Sequence, residues 1–145
     1  MKKNIENNKK RLIYGAMSFL LFVMICMFSN PKFKTIMFVR SYHELIEKSL
    51  EAGHGVPADE TVFWGYKMVN TWEKESEMTE FIISTKGDTY YGCYYSPNDV
   101  PLAFQNTEVE LVQNGHDYWE WKAEGDNYGS TSKIMECWYY FEVSF

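Results

Sequence analysis

An α+β domain behind an N-terminal transmembrane helix is the fold that three patterns in this 145-residue chain predict. An uncharged apolar run lies near the N-terminus, a stretch with helical periodicity follows, and from Thr61 onward apolar residues recur at every second position. One helix followed by a series of strands favours a helix packed on one face of a curled antiparallel sheet of about six strands. A small closed β-barrel is the alternative. With 46% hydrophobic and 18% aromatic residues the chain is too apolar to be disordered, and its length suits one domain plus an appendage.

Residues 1–11, MKKNIENNKKR, form a basic leader with five Lys/Arg and one Glu. Leu12–Phe28 carries no charge, and as a helix it spans roughly 25 Å, the short end of the transmembrane range. With Ser29 and Asn30 added, residues 12–30 read as an uncleaved signal anchor. Cleavage after Ser29 would put Met27 at −3, where a small residue is needed. Lipidation of Cys26 would place the bulky Ile25 before it, and a buried soluble helix would not be apolar all round. Five basic residues precede the segment, against Lys32, Lys34 and Arg40 after it. That bias predicts a cell-membrane protein with a cytoplasmic N-terminus and an extracytoplasmic C-terminal domain. Without the leader's charges, nine Lys/Arg and nineteen Asp/Glu remain, a net charge of −10. Such a domain is repelled by nucleic acid, which is excluded as a partner.

Residues 31–40 are a juxtamembrane linker that either continues as helix after Pro31 or turns extended at Ile36–Val39. The domain proper is read as 41–145. Ser41 and Glu44 have capping-box spacing, Tyr42, Leu45, Ile46, Ser49 and Leu50 form one stripe, and Gly53 supplies a left-handed stop, so a helix is expected over 42–52. A loop, GHGVPADE, leads to a long strand in TVFWGYKMVNTW with Val62, Trp64, Tyr66, Met68 and Trp72 on one face. EKESE is a charged turn. MTEFIISTK (78–86) and DTYYGCYYS (88–96) pair as a hairpin around Lys86-Gly87-Asp88. A loop between Pro97 and Pro101 follows. TEVELVQ and HDYWEWKA are joined by Asn114-Gly115, a strong type I′ turn signal. Residues 124–132 read as a loop, and KIMECWYYFEVSF as a final strand with Met135, Cys137, Tyr139, Phe141, Val143 and Phe145 in the core.

Cys93 and Cys137 both fall in expected strands, and an oxidising compartment would permit a disulfide between them. Two separate buried thiols are the competing reading. The direction of Cys93 depends on the turn. A Gly87-Asp88 loop points it away from Phe81 and Ile83, whereas a Thr85-Lys86-Gly87 loop with a glycine bulge brings it to their side. His43, His54 and His116 share no local pattern with either cysteine, and neither G-x-S-x-G nor S-x-x-K occurs, so no catalytic set emerges. EGDN and NGHD are oxygen-rich turns, but EGDNYGSTSK lacks the order of a calcium loop and no Cys/His cluster has zinc spacing. No metal and no cofactor is assigned.

The aromatic residues carry what binding signal there is. In a sheet they alternate, and an exposed row would offer a stacking platform. Tyr90, Tyr94, Trp138 and Tyr140 are the outward candidates, with Asp99 and Asp126 on adjacent loops. The layout resembles a small signal-anchored protein of a bacterial cell surface in topology alone. The functional reading is therefore a non-enzymatic, membrane-anchored binding or scaffolding domain for a surface glycan or protein. The alternatives are an accessory or immunity-like protein of a membrane complex, acting through its transmembrane helix, and an enzyme of unrecognised type.

Overall fold

The computed structural model describes residues 2–53, 61–62, 66–67, 70–74 and 77–145, without the side chains of 2–9, 61–62, 66–67, 70–72 and 74. The loop expected at 54–60, His54, Trp64 and Met68, and the side-chain directions of Val62, Tyr66 and Trp72, lie outside the described residues.

Helix α1 spans Lys2–Ser29. Its portion from Lys10 to Ser29 is long and apolar enough to cross a bilayer, with a mean hydropathy of 2.2 and none of it buried against the rest of the chain. Helix α2 spans Pro31–Glu51, so the linker is its first half and the 42–52 expectation was too short. The helix starts at Asn30, whose side-chain oxygen accepts the Phe33 N–H at 3.1 Å, with Pro31 at the first helical position. Ser41 and Glu44 are thus mid-helix, and Glu44 pairs loosely with Lys48 at 3.9 Å instead of capping. Gly53 ends the helix with φ of 69°.

The expected long strand after Thr61 is broken. Thr61–Val62 (β1) pairs antiparallel with Tyr66–Lys67 (β2), and Asn70–Lys74 (β3) joins the main sheet. The remaining strands are β4 (Met78–Lys86), β5 (Thr89–Tyr95), β6 (Val112–Gly115), β7 (Tyr118–Lys122), β8 (Tyr128–Met135) and β9 (Trp138–Ser144). They form one antiparallel sheet in the order β3-β4-β5-β9-β8-β7-β6, open at β3 and β6, and so not a barrel. Two turns differ from expectation. β6 reaches Gly115, so the turn is His116-Asp117 with Asp117 at φ 58°, not Asn114-Gly115. The run from Lys133 to Phe145 is not one strand: Glu136-Cys137 forms a turn with Cys137 at φ 61°, and β8 starts inside the segment read as a loop.

Both faces of the central strands are covered. On one, α2 packs against β4, β5 and β9. Phe38, Val39 and Ile46 meet Phe81, Ile83, Cys93 and Trp138 there, and Phe81 stacks on Trp138 at 5.8 Å. On the other face, residues 96–111 run from the end of β5 to the far edge as a strap, with Ala103 and Phe104 over Met78, Ile82, Tyr94, Tyr139, Phe141 and Val143. Burying both faces explains the near-continuous apolar and aromatic composition of β5 and β9.

The β4–β5 register combines features of both expected turns. Lys86 pairs with Thr89 across a two-residue Gly87-Asp88 turn, but a bulge between Ile82 and Ser84 shifts the pairing further in. Phe81 then opposes Cys93, and Cys93 is buried under α2 beside Phe81 and Trp138. Gly92 is needed opposite the bulge, because a Cβ there would lie 2.1 Å from the Phe81 carbonyl oxygen and 2.8 Å from the Phe141 ring.

Candidate functional site

The outward expectation is overturned for three of the aromatic quartet, because α2 covers one face of the sheet and the strap covers the other. Tyr94, Trp138 and Tyr140 are buried. Tyr94 stacks on Tyr139 at 5.1 Å, and its hydroxyl meets Thr131 Oγ1 at 2.8 Å and accepts the Leu102 N–H at 2.8 Å. Trp138 donates its indole N–H to Glu47 Oε1 at 2.6 Å. Tyr90 is half-buried between Phe104 and Phe145. Asp126 is exposed in the turn before β8. Asp99 ties the strap to the β8–β9 turn: its carboxylate accepts from Lys133 Nζ at 2.5 Å, the Cys137 N–H at 2.8 Å and the Tyr139 hydroxyl at 3.0 Å. The Lys133 ammonium and the Cys137 N–H hold its pKa below the ordinary carboxylate value. Cys93 and Cys137 are both free thiols, one in the core and the other half-buried in a turn. The six candidate residues therefore do not converge on one surface.

A different set does. α2 covers only part of its face of the sheet: its first half reaches Ser132 on β8, while the end of β9, β8 and β7 that holds Glu142, Ser130 and Glu120 lies open beside it. Cross-strand pairing aligns Tyr91, Glu142, Ser130 and Glu120 in one row over β5, β9, β8 and β7, ending at Val112 on β6. Glu142 and Glu120 are exposed and flank Ser130. The Tyr118 hydroxyl donates to Glu120 Oε1 at 2.7 Å, the Asn114 amide donates to its other oxygen, and the Tyr140 hydroxyl donates to Glu142 Oε2 at 3.3 Å. The bond to Glu120, together with partial burial, raises the Tyr118 phenol above its ordinary value, and burial followed by Glu142 does the same for Tyr140. These carboxylates and the rings of Tyr118 and Tyr128 line a groove of about 560 Å³. Tyr128 is 57% exposed.

No protein-family model, curated protein or solved structure matches the chain. What the groove can do therefore rests on its own chemistry. Two carboxylates held by phenolic donors keep free lone pairs for hydroxyl or ammonium groups, and the exposed ring of Tyr128 offers an apolar face. Neither histidine nor cysteine lines it. Among the described residues no group of three or more His, Cys, Asp or Glu is arranged to hold a metal.

Sequence reasoning missed this row because it depends on register across five strands. It also missed Glu80, which has no exposed surface although it stands in an apolar strand. Glu80 Oε2 accepts the Gln105 N–H at 2.9 Å, and Oε1 has no partner among the described residues. Burial raises its pKa to about 7, opposed only in part by the Gln105 bond. The visible signal was the acid at position 80 within MTEFIIS.

Proposed function

We propose that this chain is a single-pass membrane protein with a cytoplasmic N-terminus, whose extracytoplasmic α+β domain binds a surface glycan on the open half of its sheet. The carrying observation is the row Glu142–Ser130–Glu120 with the Tyr118 and Tyr128 rings beside it, left uncovered by α2. Carboxylates and a serine in register accept hydrogen bonds from successive hydroxyls, while an exposed tyrosine stacks on the apolar face of a sugar ring. The apolar helix α1 supports the anchored reading, and the basic leader before it supports the orientation. The domain's acidity is consistent with a ligand that is neutral or cationic rather than a nucleic acid.

Glycan-array binding by the full chain in detergent tests this directly. Wild type is expected to retain a hydroxyl-rich ligand, and the Glu120→Gln/Glu142→Gln pair to weaken it at least about tenfold, the loss of one charge-assisted bond. Equal binding by the double variant would move the site elsewhere, and binding only to a protein would replace the glycan. Exchange of residues 1–29 for an unrelated anchor, which keeps the Asn30 cap and all of α2, is expected to leave binding unchanged. Loss on that exchange would transfer the function to the helix.

A further inference from the structure

A second groove, of about 410 Å³, lies between α2 and the β6–β7 turn and carries the opposite charge. Lys32, Ile36 and Arg40 recur at four-residue spacing and form its helical wall; His116, Tyr118 and Ser132 face them from the sheet. The Lys32 ammonium is fixed in place, 3.3 Å from Ser132 Oγ and 5.0 Å from the centre of the Tyr140 ring. Arg40 is exposed at the other end. The one carboxylate lining the groove, Asp117, is engaged by His116 Nδ1 at 2.7 Å. Lys133 also borders it, but its ammonium is turned to Asp99 on the far face of the sheet.

Position singles out the occupant. Lys32 is the third residue after Ser29, where the apolar span of α1 ends. At about 1.5 Å per helical residue it lies within roughly 5 Å of that end, inside the headgroup layer of a bilayer. Lys32 is held at that depth, and Arg40, eight residues and about 12 Å further along α2, closes the groove on the domain side. In an otherwise acidic domain these cations would face lipid phosphates, and the tether keeps the lipid at high local concentration. We propose that Lys32 and Arg40, with His116 opposite, clamp the phosphate of an anionic phospholipid and thereby fix the orientation of the domain on the membrane. This rests on the reading of α1 as a membrane span.

Isotopically labelled full chain in nanodiscs provides the test, with backbone amide shifts of Tyr118, Ser132 and Ile134 as the readout. As phosphatidylglycerol replaces phosphatidylcholine, these amides are expected to shift in wild type and to stay fixed in Lys32→Gln/Arg40→Gln. The remaining spectrum of the variant, unchanged in phosphatidylcholine, reports that it is folded. Absence of shifts in wild type, or equal shifts in the variant, overturns the clamp. Equal shifts on adding inorganic phosphate to phosphatidylcholine discs would make the groove a general anion site and overturn the lipid assignment. Chain that elutes without discs overturns the membrane reading itself, a result separate from the spectra.

Discussion

A carboxyl group with no exposed surface must be paired or neutral, and Glu80 has one backbone donor and an oxygen with no partner among the described residues. Its pKa is about 7 in the fold against 4.5 ordinarily. Between those values the folded chain keeps a proton that the unfolded chain has lost, so stability is full below 4.5 and declines as pH rises towards 7. The shift corresponds to about 3 kcal/mol. Glu80→Gln, which is neutral throughout, is expected to match wild type near pH 4.5 and to exceed it by about 2–3 kcal/mol above pH 7. Denaturant unfolding of both in detergent, across that range, checks it; parallel pH profiles would refute it. Gly92 is constrained in the opposite sense, by space. Gly92→Ala drives a methyl into the Phe81 carbonyl and the Phe141 ring, and is expected to cost about 3 kcal/mol or more in the same unfolding measurement.

At the scale of elements, the strap over the second face is held at Asp99 as well as by apolar burial. Asp99→Ala removes the acceptor of the Cys137 N–H, the Tyr139 hydroxyl and Lys133 Nζ together. Amide exchange over residues 97–106 is expected to quicken at least about tenfold, the loss of one charge-assisted bond, while β8 and β9 stay protected. Because the Asp99 carboxyl is held below its ordinary 3.8, this anchorage persists above that pH and is lost as pH falls through the depressed value. The strap and the extent of α2 were the poorly legible parts. MTEFIISTK and TYYGCYY were read as a hairpin because alternation and a Gly turn agree there. Ser41-x-x-Glu44 looks like a helix start, but local capping chemistry does not act where Asn30 and Pro31 have already begun the helix. Cys137 is invisible as a turn residue because the apolar alternation of ECWYYF runs straight through it. The row Glu142–Ser130–Glu120 was illegible for a deeper reason. Its residues come from three strands, and the irregularity at Lys133/Met135 between β8 and β9 shifts which residues oppose one another.

For the whole molecule, the consequence is that the fold begins at Asn30, while the apolar span before it stands apart. The span from Lys10 to Ser29 is not buried against the domain, whereas Thr35, Phe38 and Val39, directly after it, are each almost fully enclosed. Phe38 packs 5.9 Å from the Phe81 ring, and Phe81 in turn covers Trp138 and Cys93. Removing the first half of α2 would strip two large apolar side chains, worth about 1.5–3 kcal/mol each, and leave their partners in water. Against a typical stability of about 5–15 kcal/mol that loss is enough to unfold a domain of this size, since cavity and cap terms add to it. A fragment covering residues 30–145 is therefore expected to unfold cooperatively and to keep Cys93 closed to thiol reagent, with only the half-buried Cys137 reacting. A fragment covering 41–145 is expected to lose the sharp transition and to label two thiols per chain under native conditions. Protection of Cys93 in the shorter fragment would show that the first half of α2 is dispensable, and would return the domain boundary to Ser41.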